Sequence, residues 1–229
     1  MAQLYSLLTV GNAVVALSDI EKISAYDDVV HSSLLAQLVA NKKIESMKVE
    51  NWYDAYVAVL DDFWIRNFKF RQDFSLNGLN ASSALEWALA AMANSGGEDH
   101  ALGGFLAYAA QLPCYVPAIQ IWPEERCEEE MQGPCLPLKA VRLLAIVGQS
   151  PTSISSIYLE FKTRQALTLN PWSQHFEVDE VEGQVCVRYA RANLSETLYA
   201  LSREAITHKL GNRLADNVAL VVEKVDMGE

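Results

Sequence analysis

An α+β fold is what this sequence predicts, with a helix-rich first half, then antiparallel strands plus one long capped helix in the second half. Three observations carry that expectation. Apolar residues recur at helical spacing over residues 18–41, 51–65 and 85–111. Beyond Leu138 the period shortens towards two, the spacing of a strand with one buried face. Between the two textures, Pro113, Pro117, Pro123, Pro134 and Pro137 remove amide donors and fix φ, which prevents a regular element. The expected organisation is a helix-rich region over residues 1–112, a Pro-rich connector over 113–138 and an antiparallel β plus helix region over 139–229. The halves form either separate domains or one shared core.

The elements follow in order. Ser18 and Glu21 have capping-box spacing ahead of a run in which Leu34, Leu35, Leu38 and Val39 share a face, so a helix or a broken pair of helices is expected to end near Asn41. Trp52, Tyr56, Val59, Leu60 and Phe63 follow an i, i+4, i+7, i+8, i+11 stripe, a second helix with an aromatic face turned to the core. Residues 68–78 read as a strand or extended link. Ser83 and Glu86 repeat the capping-box spacing before a helix that Asn94, Ser95, Gly96 and Gly97 stop. Residues 101–111 are apolar nearly all round, the pattern of a helix buried on several sides, and Gly103 and Gly104 would permit close backbone approach.

In the second half, residues 141–148 form a short apolar run that suits a buried strand. Ile157, Leu159 and Phe161 alternate with Tyr158, Glu160 and Lys162. Residues 175–189 read as a hairpin turning at Glu182 and Gly183, with Val185, Val187 and Tyr189 on one face. A long helix then runs from an Asn193 N-cap, with Glu196 three residues on, a Leu198, Leu201 and Ala205 stripe, basic residues His208 and Lys209 in its last turn, and Gly211 as its stop. Residues 217–225 close the chain as a β-branched strand.

Composition limits the chemistry. With 51% hydrophobic and 21% charged residues over 229 positions, the chain can bury a core without disulfide or metal support. Its net charge of −11 opposes association with nucleic acid or anionic lipid. The local group Arg188, Arg191, Arg203, Lys209 and Arg213 reads as basic side chains on exposed faces. No basic residue precedes the apolar N-terminal run, as a secretory signal requires, and no apolar stretch reaches the roughly 20 residues that span a bilayer, so a cytoplasmic protein is expected. Cys114, Cys127, Cys135 and Cys186 contain no C-x-x-C pair, which argues against a zinc site and for free thiols, with Cys127 and Cys135 able to meet only in an oxidising setting.

Reactive constellations are sparse. The glycines of residues 96–104 match neither the P-loop nor the dinucleotide fingerprint. Glu98, Asp99 and His100 read as a capping loop rather than a metal site, and Asp61 and Asp62 diverge by about 100° on a helix. His175 and Glu177, two apart on a strand, are the best acid/base pair, with Cys186 as a conceivable thiol partner across the expected hairpin. There is no G-x-S-x-G elbow and no H-E-x-x-H helix. Trp122 and Trp172, each beside a proline, are the aromatic residues expected to contact a partner. No cofactor and no metal is expected.

Taken together, these residues predict a non-catalytic protein-binding or self-assembly module. The alternatives are a hydrolase using His175 and Glu177 with or without Cys186, and a protein that releases the apolar helices of residues 83–93 and 101–111 into a membrane.

Overall fold

The computed structural model describes residues 4–49, 51–76, 82–97, 99–112 and 138–227. Most of the Pro-rich connector, with Trp122, Cys114, Cys127 and Cys135, lies outside the described residues, as does Glu98.

The chain opens with two strands, β1 (Leu4–Val10) and β2 (Ala13–Ser18), whose residues are nearly all buried. A strand covered on both faces is apolar at consecutive positions and shows no alternation, so its pattern does not separate it from helix. The two-residue loop between them has Gly11 at φ +55°, the positive value a tight hairpin turn requires. A Cβ there would come within 2.6 Å of Gln37 Oε1. That same oxygen accepts from the amide of Asn12 at 2.8 Å, while Gln37 Nε2 donates to the carbonyl of Val10 at 2.9 Å. The buried amide of Gln37 thus spends its hydrogen bonds on holding the turn against α1 (Asp27–Glu45).

Helix α1 starts later than its sequence suggests. Ser18 is the last residue of β2, a 3-10 turn over Ile23–Tyr26 follows, and Asp27 and Asp28 occupy the first turn, where carboxylates suit the helix dipole. Helix α2 (Trp52–Leu60) is capped by Asn51, whose side chain accepts from the amide of Asp54 at 2.9 Å. Its Trp52, Tyr56 and Leu60 are buried. Strand β3 (Trp64–Phe74) and the short β4 (Ser82–Ser83) lead into α3 (Ala84–Asn94). The expected capping box is present there: the amide of Glu86 donates to Ser83 Oγ at 3.2 Å and the amide of Ser83 to Glu86 Oε2 at 2.7 Å. Helix α4 (His100–Gln111) packs beside α3. A Cβ on Gly103 would lie 3.8 Å from the Leu89 side chain, an ordinary contact, so packing against α3 does not demand a glycine there.

The second half comprises β5 (Lys139–Ser150), β6 (Ser153–Thr163), β7 (His175–Phe176), β8 (Val181–Leu194), α5 (Glu196–Ala200), α6 (Arg203–Leu210), α7 (Arg213–Asn217) and β9 (Val218–Asp226). Among the described residues, seven strands form one mixed sheet in the order β3-β8-β6-β5-β2-β1-β9, and β4 pairs with β7 separately. Neighbours in the large sheet are antiparallel except β2 and β5. One face carries Tyr5, Leu7, Leu143, Ala145, Ile157, Leu159, Val185 and Val187 against α3 and α4. The other carries Leu8, Val15, Leu144, Ile146, Tyr158 and Leu194 against α1, α2 and α6. The result is a mixed α/β fold with helices on both faces of a sheet drawn from both halves of the chain.

Two expectations for the second half are corrected. Residues 175–189 do not form a hairpin: β7 stops after two residues and pairs with β4, while β8 is a single long strand between β3 and β6. Gly183, at φ +80°, lies inside β8 rather than at a turn. The long capped helix is also absent, because Asn193 and Leu194 complete β8 opposite Ile65 and Trp64, and the remainder breaks into α5 and α6. Leu198 and Leu201 are 49% and 86% exposed, and the buried anchors are Tyr199, Ile206 and Leu210. Tyr199 packs edge-on against Phe63, with centroids 5.3 Å apart, a contact local spacing cannot foresee. Gly211, at φ +48°, does end α6. No helix among the described residues is long and apolar enough to cross a membrane.

Candidate functional site

Among the described residues, those singled out from sequence are not brought together. His175 and Glu177 are both exposed and flank the buried Phe176, as residues two apart on an extended segment should. Their backbones are held by Gln165, whose Nε2 donates to the carbonyl of His175 at 2.9 Å and whose Oε1 accepts from the amide of Glu177 at 3.1 Å. Cys186 is in the large sheet, opposite Asp73 on β3 and Glu160 on β6, whereas the strand of His175 pairs with β4, so the expected pairing across a hairpin is not made.

Trp172 is 1% exposed and belongs to the core beside Phe176, so it has no surface to offer a partner. Its loop holds the end of α4 and the start of α3: Asn170 Nδ2 donates to the carbonyl of Ala109 at 2.9 Å, and the amide of Leu85 donates to the Trp172 carbonyl at 3.0 Å. The indoles of Trp52 and Trp64 donate to Asn41 and Ser32, whereas the buried Trp172 Nε1 has no partner among the described residues. Asp99 caps α4 through the amide of Leu102 at 3.0 Å and accepts from the Tyr189 hydroxyl at 3.0 Å. Asp61 pairs with Arg66. The basic group is dispersed: Arg203 grips Asp28 and Glu196, while Arg188 lies 3.5 Å from Asp54.

What the sheet does assemble is a pair of polar rows on its α1/α2 face. Register places Arg142 of β5, Glu160 of β6, Cys186 of β8 and Asp73 of β3 side by side across four strands. The adjoining row on the same face is Leu144, Tyr158, Arg188 and Arg71. Residues two apart on β6 record the limit of helical cover: Tyr158 is buried, Glu160 half-buried and Lys162 exposed. A register shift between Arg66 and Phe68 on β3 is what brings Trp64 and Arg71 to the same face despite their odd separation. No alternation within one strand could announce these rows, because their members come from positions 71–73, 142–144, 158–160 and 186–188.

Where helical cover ends, aromatic rings form the wall. Trp52 stacks on Tyr56 and Tyr158 with centroids 5.2 Å and 5.6 Å apart, and Tyr53 leans on Tyr158 at 4.8 Å. The Arg188 guanidinium lies 5.0 Å from the Tyr53 ring centroid, a cation–π arrangement. Burial raises the Tyr53 hydroxyl to about 12, partly offset by Arg66 and Arg188. Burial also drives Tyr158 well above its usual range, with the Glu160 carboxylate adding to the effect. The Tyr158 hydroxyl and Arg188 Nε are both buried without a hydrogen bond of ordinary geometry.

Cys186 sits among these charges. Burial and a hydrogen bond to the Asp73 carboxylate raise its thiol to about 11, against a smaller opposing pull from Arg188. Arg71, whose Nε donates to Asp73 Oδ2 at 2.7 Å, holds that carboxyl below its usual value. A thiol so placed keeps its proton near neutral pH and is a poor nucleophile.

No family model and no curated protein matches this chain. Among solved structures it is similar to the Evf virulence factor, at 12% identity and a TM-score of 0.34, over 91% of this chain and 84% of that one.

Proposed function

We propose that this chain is a non-catalytic binding module that works through protein contacts, self-association included, and that the charged rows at the open end of its sheet are the contact face. The observation that carries the reading is the row Arg142, Glu160, Cys186 and Asp73, whose only nucleophile is held protonated by burial and by a neighbouring carboxylate. General-base activation needs an acceptor basic enough to take the thiol proton, and the carboxylate beside this thiol is held below its usual range by Arg71 while its charge disfavours thiolate formation. Partly exposed charges of both signs beside aromatic rings give a rigid surface with directional recognition, which suits a protein partner of complementary charge.

Mass in solution by light scattering across a concentration series tests the reading, with a mass above that of one chain as the expected result. A parallel panel of ester, amide and phosphoester substrates should show no turnover. Turnover that disappears in a His175→Ala variant would replace this reading with the hydrolase.

A further inference from the structure

Among the described residues the large sheet ends in two edge strands, β3 and β9, and these differ. Strand β9 is irregular: its pairing with β1 shifts register twice, and Lys224 adopts φ +57° within it. Bulges of this kind twist an edge away from further pairing. Strand β3 has its one irregularity near its start and pairs regularly with β8 from Phe68 to Phe74. Among the described residues nothing pairs with its outer side. Phe68, Phe70 and Phe74 face the α3/α4 core yet are only partly buried, and Lys69, Arg71 and Asp73 are exposed on the other face.

We propose that β3 is the docking edge for a second copy of this chain, pairing antiparallel about a two-fold axis at Gln72. The inference rests on the self-association reading above and names its surface. An antiparallel pair related by a two-fold axis sets each residue opposite one on the same face, so the register is defined by the residue at its centre. A centre on Lys69 opposes the two Lys69 side chains. One on Phe70 opposes Lys69 and Arg71, and one on Arg71 opposes the two Arg71 side chains. A centre on Asp73 opposes the two Asp73 carboxylates, and one on Phe74 sets Arg71 and Asp73 opposite uncharged residues. Only the centre on Gln72 pairs these charges with opposite ones: Arg71 faces Asp73 of the second copy, and Asp73 faces its Arg71. The existing Arg71–Asp73 pair then becomes half of a four-charge cluster in which every neighbour is opposite in sign.

The same register is complementary on the opposite face, where Phe70 meets Phe74 of the second copy and Phe74 meets its Phe70. These are the rings a lone edge leaves half covered. Backbone N–H and C=O groups on the outer side of β3 gain partners, and the charged row ending at Asp73 continues into the row beginning at Arg71 of the other copy.

Sedimentation velocity on the wild type and two charge variants tests this. The wild type should dimerise. Arg71→Asp places carboxylates opposite carboxylates, and Asp73→Arg places guanidiniums opposite guanidiniums, so each alone should raise the dimer dissociation constant at least about tenfold. Mixed in equal amounts, the two variants should form a heterodimer, because every opposed pair is again of opposite sign, and that recovery also shows both are folded. Failure of the mixture to recover would overturn the register. Variants that dimerise as tightly as the wild type would also overturn it while leaving self-association through another surface. A wild type that stays monomeric would overturn both this inference and self-association, leaving a different protein as the partner.

Discussion

Strands β3, β8, β6 and β5 present two different surfaces along a single sheet face. Under α1 and α2 the residues on that face are Trp64, Leu194, Ala192, Ile154 and Ile146, all buried. A few residues along the same strands they are Asp73, Cys186, Glu160 and Arg142, partly open to water. Backbone and pleat are the same at both ends, so the difference is one of cover. A position beneath a helix must be apolar because an unpaired charge there costs several kcal/mol, at least ~3, while a position beyond the helix end tolerates charges that pair with cross-strand neighbours. The boundary runs through Tyr158 and Arg188, which are neighbours in register and each keep one buried polar atom without a partner.

That comparison can be broken most forcefully at its covered end. Trp64→Ala removes a buried indole and its hydrogen bond to Ser32 at 3.0 Å, and should cost about 3–5 kcal/mol in a denaturant titration. A loss under about 1 kcal/mol would mean that this end is not close-packed. At the boundary, Arg188→Ala strips the cation from Tyr53 and leaves Asp54 unpaired; a loss of about 1–2 kcal/mol is expected, smaller than at Trp64 because Asp54 is exposed.

Tyr158→Phe sharpens the comparison by reversing the usual sign. It deletes a buried hydroxyl that has no good partner, so stability should be unchanged or rise by up to about 1 kcal/mol. A clear loss would reveal an ordered partner for that hydroxyl, such as a bound water.

The smallest effect near neutral pH, and the most specific, belongs to Cys186. Folding raises this thiol from 9.0 to about 11, so the folded state holds its proton more tightly. The stability so gained is complete below pH 9 and is lost as pH rises through about 11. Alkylation followed by peptide-resolved mass spectrometry should therefore find Cys186 slower to react at pH 7.5 than an unfolded control, with a rate that climbs towards pH 11. Fast labelling at neutral pH would show a stabilised thiolate and restore the case for a nucleophile.

Features set by neighbours along the chain were legible in the sequence. The Ser83–Glu86 box, the aromatic stripe of α2, the alternation of β6 and the stop at Gly211 all express contacts within a few residues, where backbone geometry leaves few options. The Ser18–Glu21 pattern had the same spacing, yet tertiary pairing claimed Ser18 for β2. Strands β1 and β2 were hidden for the opposite reason, since burial on both faces erases the period that marks a strand. In β8, Glu182 and Gly183 look like a turn, but Gly183 is accommodated within a strand whose pairing with β6 resumes at Glu182 and Val181 after a register shift.

Order along the chain alone thus determined a mixed helix and strand content, the capping box that opens α3 and the glycine that ends α6. Tertiary structure decided which strands lie next to which, and with that the rows of charge, the placing of Cys186 and His175 in different sheets, the burial of Trp172 and which described strands end the sheet. Strand adjacency is a long-range choice made by competition among faces for cover, and pairs such as Asp73 with Cys186 and Arg142 with Glu160 become neighbours only when that competition is settled.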